Sequence, residues 1–133
     1  MQDEGWYELL HGNVAIFMLG TELELSPGSD QYLFLEQGLA SVNRSVTPWV
    51  LVLGHRPSYY VDDSKDGGTI DANINQIEPL LMAYKVDIVL WGHVHNAFRS
   101  CPVFNGTCVP PATDGGYDAP IQVCVCVVVQ PCG

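Results

Sequence analysis

The 133-residue sequence predicts an α/β fold, and three observations carry that expectation. Apolar runs of strand length alternate with segments of helical period, in the order strand, helix, strand, helix, strand. Two of the apolar runs stop at a glycine followed at once by histidine, in Leu51-Val52-Leu53-Gly54-His55 and Val89-Leu90-Trp91-Gly92-His93. A helix of crossover length lies between those two runs, which makes the strands parallel and brings their carboxyl ends to one edge.

Val14 to Leu19 reads as the first strand, followed by the turn Ser26-Pro27-Gly28. Ser29 is placed to cap a helix through about Ser41, with Tyr32, Leu35 and Leu39 on one face. Gly38 weakens that helix by about 1 kcal/mol relative to alanine, which points to close packing there. Trp49 to Leu53 is a short buried strand. The polar, glycine-bearing stretch from Tyr59 to Thr69 reads as a surface loop, and Asp62, Asp63 and Asp114 as solvated surface. A second helix is expected over about Asp71 to Tyr84, with Ile74, Ile77, Leu81 and Tyr84 inward. Pro79 either kinks that helix or opens a new segment after Glu78. Val86 to Trp91 and Ile121 to Val129 complete the strands. No internal repeat, low-complexity tract or linker interrupts the chain.

The histidines carry the chemistry. Glycine permits a sharp turn where a strand ends, so each imidazole is presented at the carboxyl edge of the sheet, where open α/β sheets hold ligands. His93 and His95 are two residues apart, and only an irregular loop aims both inward or at two neighbouring ions. Three histidines on two such loops look like a metal site lacking its remaining ligands. Taken singly, each is more often a plain surface or core residue. His11, beside Gly12 in a loop-like stretch, has no such context and reads as structural.

A family resemblance rests on a longer series of residues. Thr21-Glu22, Ser26-Pro27-Gly28-Ser29, Gln31-Tyr32, Leu39-Ala40-Ser41-Val42, Thr47-Pro48-Trp49 and Gly54-His55-Arg56-Pro57 resemble the purple acid phosphatases. So do Glu78-Pro79-Leu80-Leu81, Tyr84-Lys85-Val86-Asp87, Trp91-Gly92-His93-Val94-His95, the stretch from Arg99 to Cys108, and Tyr117-Asp118-Ala119-Pro120. The match runs from about Gly12 to Pro120 in one order. It implies that residues 1–133 are the carboxyl-terminal portion of such a catalytic domain, part of a metallophosphoesterase four-layer α/β/β/α sandwich. The resemblance also implies a binuclear centre, iron with a second divalent metal (iron, zinc or manganese). On that similarity His55 and His93 bind the divalent ion and His95 the ferric one, with Asn96 and Arg56 in support and Arg99 structural. The family's earlier blocks, of the forms Gly-Asp-x-Gly, Gly-Asp-x-x-Tyr and Gly-Asn-His-Asp/Glu, do not occur in this sequence. The histidines that relatives commonly carry in the loop after Pro57 are also absent, and Gln122 stands where relatives often have histidine.

The implied activity is hydrolysis of phosphate monoesters under mildly acidic conditions, with this chain inactive unless another chain carries the missing front half. Two other classes compete with it: a non-catalytic secreted structural or interaction module, with no cofactor in this chain alone, and a mononuclear zinc protein using His55, His93, His95 and a water.

Composition narrows the partners. A net charge of −10 with only five Lys and Arg offers no patch to neutralise several phosphates, which argues against nucleic acid and anionic membranes. A small phosphorylated substrate remains compatible, because metal ions supply local positive charge. No run reaches the length of a membrane span, and the sequence opens without the basic and apolar regions of a signal peptide. Two sequons, Asn43-Arg44-Ser45 and Asn105-Gly106-Thr107, nevertheless point to a secreted or extracellular glycoprotein. Cys101 and Cys108 flank the second at hairpin-like spacing, which suggests a local disulfide. Five cysteines leave at least one outside any internal pair. Cys124 and Cys126 share one side of an extended strand, too far apart along it for comfortable pairing. A zinc site from Cys124, Cys126 and Cys132 lacks the paired knuckles of structural zinc centres.

Overall fold

The structure is a computed structural model that describes residues 5–60, 72–113 and 115–125. Asp62, Asp63, Asp71, Asp114, Cys126 and Cys132 lie outside the described residues, as do most of the loop after Tyr60 and the end of the last expected strand.

Among the described residues, seven strands and three helices follow in the order β1 (Tyr7–His11), β2 (Val14–Met18), α1 (Asp30–Ser41), β3 (Trp49–Leu53), α2 (Ala72–Asn75), α3 (Glu78–Ala83), β4 (Ile88–Trp91), β5 (Ala97–Phe104), β6 (Thr107–Cys108) and β7 (Ile121–Val125). They form one sheet in the order β1-β2-β3-β4-β7-β5-β6. Strands β2, β3, β4 and β7 are mutually parallel; crossover helices join β2 to β3 and β3 to β4, and the β5–β6 hairpin lies between β4 and β7 in the chain. Antiparallel β1 closes one edge, and the hairpin of β5 and β6 the other.

Local chemistry explains the helices. Ser29 caps α1, its Oγ accepting from the Tyr32 N–H at 3.3 Å. Leu35 and Leu39 of α1 are buried as the helical period requires; Gln31 is buried with them, and Tyr32 packs on the margin of the core. The single second helix expected from sequence is two: α2 stops at Asn75, and α3 starts at Glu78 with Pro79 in its first turn, where the missing N–H costs nothing. Ile74, Ile77 and Leu81 are fully buried, and Tyr84 packs against the core.

Three strands were not expected from sequence. β1 pairs with β2 through the turn at Gly12, whose φ of 58° is left-handed, so His11 ends a strand rather than lying in a loop. β5 and β6 are joined by Asn105-Gly106, both at positive φ, the backbone that a two-residue hairpin turn demands. β1 is an edge strand exposed at every residue, and β5, between β7 and β6, is mostly exposed or half-buried, so neither has the continuous apolar run that signals a strand.

The core lies on one face of the sheet. Ala15, Phe17, Val50, Val52 and Val89 meet Leu35, Leu39, Ile74, Ile77 and Leu81 from the helices. The other face carries unbroken apolar rows. Leu9, Ile16, Leu51, Ile88 and Ile121 are register partners across five strands, and Tyr7, Met18, Leu53, Leu90 and Val123 form the next row. These side chains are half-buried or exposed, unlike their alternates on β2, β3, β4 and β7, which are buried. Helices on one face and an apolar opposite face are the two layers of a partial metallophosphoesterase sandwich.

Candidate metal centre

The parallel pairing of β3 with β4 delivers both glycine–histidine loops to one sheet edge. The ladder continues into the loops: Gly54 N–H donates to Leu90 O at 3.1 Å, and Gly92 N–H donates to His55 O at 3.0 Å. This second bond ties one histidine's backbone to the other's loop. The rings then meet, with His93 Nδ1 3.2 Å from His55 Nε2 and the planes nearly perpendicular at 79°.

The turn at His93 is strained. Its φ is 66°, a left-handed value that is costly for a non-glycine residue, and Val94 N–H donates to Gly92 O at 2.8 Å across it. A second three-residue turn follows at once, with Asn96 N–H on Val94 O at 2.8 Å. His93 and His95 therefore sit at the apices of two successive γ-turns. Both side chains are exposed.

Beneath these loops the packing is tight. A Cβ on Gly54 would lie 2.6 Å from both Thr21 Cγ2 and Trp91 Cζ3, so only glycine fits. Trp91 donates its indole N–H to Gln122 Oε1 at 2.5 Å, and Gln122 Nε2 finds no acceptor among the described residues. Cys124 Sγ donates to Gly92 O at 3.1 Å from below. On the outer side, the Arg56 N–H bonds Thr21 Oγ1 at 2.9 Å and its guanidinium pairs with Glu22 at 2.7 Å. That guanidinium is the main reason the Glu22 carboxyl sits below the usual carboxylate range, with smaller contributions from His55 and His93.

The sequence reading placed His55, His93 and His95 together. The first two do meet. Among the described residues no three His, Cys, Asp or Glu side chains are grouped to hold an ion, so His95 does not complete a three-donor cluster with them. Arg56 braces the first loop, and Asn96 is half-buried at the end of the second. Thr21, Glu22, Trp91, Gln122 and Cys124 were not recognised as a frame for these loops, although Thr21-Glu22 and Trp91 stood inside the motifs that carried the resemblance.

Other motif residues lie far from this edge. Arg44 holds the start of β3 to the approach of β4: it donates to Asp87 Oδ2 at 2.6 Å, Pro48 O at 2.7 Å and Tyr84 O at 3.2 Å. Asp87 Oδ2 also accepts Val50 N–H at 2.7 Å. Cys101 and Cys108 form the disulfide that closes the β5–β6 hairpin. Asn105 is exposed at its tip, and Asn43 is exposed after α1, its Oδ1 accepting from Ser45 N–H at 3.0 Å.

The chain belongs to the calcineurin-like phosphoesterase family, whose model matches residues 3–97. Within that family it is a partial purple acid phosphatase domain. It is 41% identical over 104 residues to an Arabidopsis thaliana protein named "Probable inactive purple acid phosphatase 9", covering 77% of this chain and 16% of that one. It is 35% identical over 136 residues to acid phosphatase A of Cryphonectria parasitica, covering 89% of this chain and 26% of the relative. The solved purple acid phosphatase from yellow lupin (Lupinus luteus) seeds superposes with a TM-score of 0.79 at 30% identity, over 96% of this chain and 25% of that chain. The chain thus spans about a quarter or less of these relatives' length.

Proposed function

We propose that residues 1–133 are the carboxyl-terminal portion of a purple acid phosphatase-type catalytic domain, contributing part of a binuclear centre and hydrolysing phosphate esters negligibly alone. The observation that carries this reading is the 3.2 Å between His93 Nδ1 and His55 Nε2. Two nitrogens bound at about 2.0–2.1 Å to one tetrahedral ion stand roughly 3.3 Å apart, so the pair fits one metal.

His55 and His93 hold the divalent ion in this reading, and His95, on its own turn, serves iron together with donors from the missing front half. The centre, iron with iron, zinc or manganese, supplies Lewis-acid polarisation of a phosphoryl oxygen and activation of water. The chain's own residues orient. Gly92 N–H on His55 O fixes the rings relative to each other, Arg56 braces the first loop through Thr21 and Glu22, and Asn96 closes the second turn. None of these residues supplies the bridging carboxylate that holds two cations together, which is why the chain is inactive alone. The apolar sheet face receives the second sheet of the sandwich, whether from the same polypeptide or from a partner chain. The substrate is a small phosphate monoester. The disulfide and the sequons at Asn43 and Asn105 favour a secreted glycoprotein. Among the described residues no helix is long and apolar enough to cross a membrane.

A non-catalytic module is the second reading, favoured by the word "inactive" in the names of several relatives. Calorimetric titration of purified 1–133 with zinc, beside His55→Ala and His93→Ala, tests the ligands, and p-nitrophenyl phosphate turnover tests completeness. Weak zinc binding lost in either variant, with turnover no higher than in His93→Ala, is expected. Zinc binding unchanged in both variants would refute the ligand assignment, and robust turnover lost in His93→Ala would refute incompleteness.

A further inference from the structure

A second polar cluster lies outside the histidine edge, where the loop after β3, the start of α3 and the tip of the β5–β6 hairpin meet. Glu78 is only 6% exposed, and Tyr59 donates its hydroxyl to Glu78 Oε1. Two consecutive backbone groups of the hairpin tip complete the clasp. The Asn105 N–H donates to Glu78 Oε2 at 3.1 Å, and the Gly106 N–H donates to the Tyr59 hydroxyl at 2.9 Å.

The two residues so held are the one Asn-Gly pair in the sequence. In such a pair the glycine nitrogen can attack the asparagine side-chain carbonyl, because no Cβ on the second residue hinders the approach. Asn105 is exposed, and a Cβ on Gly106 would meet nothing within 4 Å, so packing does not obstruct that attack. Hydrogen bonding does. The Gly106 nitrogen must lose its proton, and the peptide between Asn105 and Gly106 must swing toward the side chain. Both residues are instead fixed at φ 47° and 71° in the turn between the register partners Phe104 and Thr107, with each N–H committed to the clasp. The Cys101–Cys108 disulfide holds the hairpin together behind them. Attack therefore waits for the tip to undock.

We propose that Asn105-Gly106 is a latent site of self-modification, kept from closing to a succinimide by the clasp of Tyr59 and Glu78. The reaction is that of the unglycosylated amide. In the undocked tip the bond from Gly106 N to Asn105 Cγ forms and the bond from Cγ to Nδ2 breaks. Ammonia leaves with the Gly106 proton. Water then opens the ring at either carbonyl, giving aspartate or isoaspartate at position 105. Each product puts a new carboxylate next to the N–H that Glu78 accepts, and isoaspartate also adds one atom to the backbone of a two-residue turn. Like charge and altered turn length both oppose re-docking. The modification thus releases the anchor on Tyr59, four residues beyond His55.

The test follows deamidation of Asn105 by peptide mapping and mass spectrometry in unglycosylated full chain with its disulfide formed, at neutral pH. The same chain unfolded in guanidinium chloride is the reference. Folded chain should react about tenfold or more slowly than unfolded chain, because the reaction requires local opening. Tyr59→Phe leaves the Gly106 N–H without its acceptor and should speed the folded reaction about fivefold, the worth of one hydrogen bond. Circular dichroism shows whether that variant is folded, and the comparison of folded with unfolded parent chain decides without it. Equal rates in folded and unfolded chain would overturn the proposal. So would a faster reaction in the folded chain, which would make Tyr59 and Glu78 a base for the attack rather than a guard. A folded Tyr59→Phe that reacts no faster than the parent would overturn the part given to the clasp.

Discussion

The Cys124 thiol donates to the carbonyl oxygen of Gly92 across 3.1 Å, from the middle of the sheet to the loop that carries His93. The same sulfur lies 3.5 Å from Val94 O, on the other side of the strained left-handed turn. Cys124 is completely buried. A buried cysteine of this kind acts as a small packed side chain and a weak donor, not as a reagent. Cys124→Ala should therefore cost about 1–2 kcal/mol, from the lost volume and the lost bonds to the turn. Cys124→Ser, which keeps a donor, should loosen the His93 loop less than alanine does. Urea unfolding gives the energies, and amide exchange at Val94 and Asn96 reports the loop. Equal exchange in both variants would deny the thiol any part in holding the turn.

Gly38 sets helix propensity against packing, and packing wins. A Cβ there would lie 2.4 Å from Phe17 Cε1, a ring atom of a fully buried side chain with nowhere to move. Alanine gains about 1 kcal/mol of intrinsic helix preference, while overpacking of a rigid core costs about 1–3 kcal/mol. Gly38→Ala should lower stability on balance, and Gly54→Ala should lower it further because it meets both Thr21 and Trp91. Denaturant midpoints decide both. A stabilised Gly38→Ala would mean that α1 can shift off β2.

What was legible in the sequence follows from where periodicity is strong. Trp49–Leu53 and the Ser29-capped helix were readable because a continuous apolar run and a capping serine are local signals. The meeting of His55 and His93 was readable because a crossover helix enforces parallel strands. Pro79 announced an irregularity without deciding between a kink and a new segment after Glu78; the structure has a new helix, and it begins at Glu78 itself. β1 was hidden because this edge strand is exposed at every residue and has no buried face to impose alternation, and β5 because Arg99, Ser100 and Pro102 interrupt its apolar residues where its pairing with β7 shifts register. The frame of Thr21, Trp91, Gln122 and Cys124 was hidden for a different reason. Its members are far apart in sequence and act through single contacts, so no spacing rule links them.

Tyr59 should give the protein a distinctive alkaline limb. Burial, and then its hydrogen bond to Glu78, push its phenol from 10.0 up to about 12. A raised pKa in the folded state means that folding favours the protonated phenol. The associated stability is fully present below pH 10 and is lost as the pH rises through about 12. Ultraviolet titration should show one of the six tyrosines ionising late, and Tyr59→Phe should remove that late step. The variant should also be less stable at neutral pH by about 1–2 kcal/mol, because buried Glu78 loses a donor. An unchanged titration curve would place the late phenol elsewhere.

The apolar sheet face predicts how the chain behaves alone. The rows through Leu51 and Leu53 cross five strands without a charge, and Tyr7 and Leu9 extend them with exposures of 56% and 50%. Exposed apolar area on this scale normally marks an interface. Isolated 1–133 should bind a hydrophobic dye and self-associate in a concentration-dependent way. Because side chains alternate, adjacent residues on β3 separate this face from the core. Leu51→Glu should reduce dye binding and association while the chain stays folded. Val52→Glu, one residue on and fully buried beneath the helices, should unfold it. Light scattering, dye fluorescence and circular dichroism on the two variants make the comparison. If Leu51→Glu unfolds the chain as completely as Val52→Glu, the second face is already covered and needs no further layer.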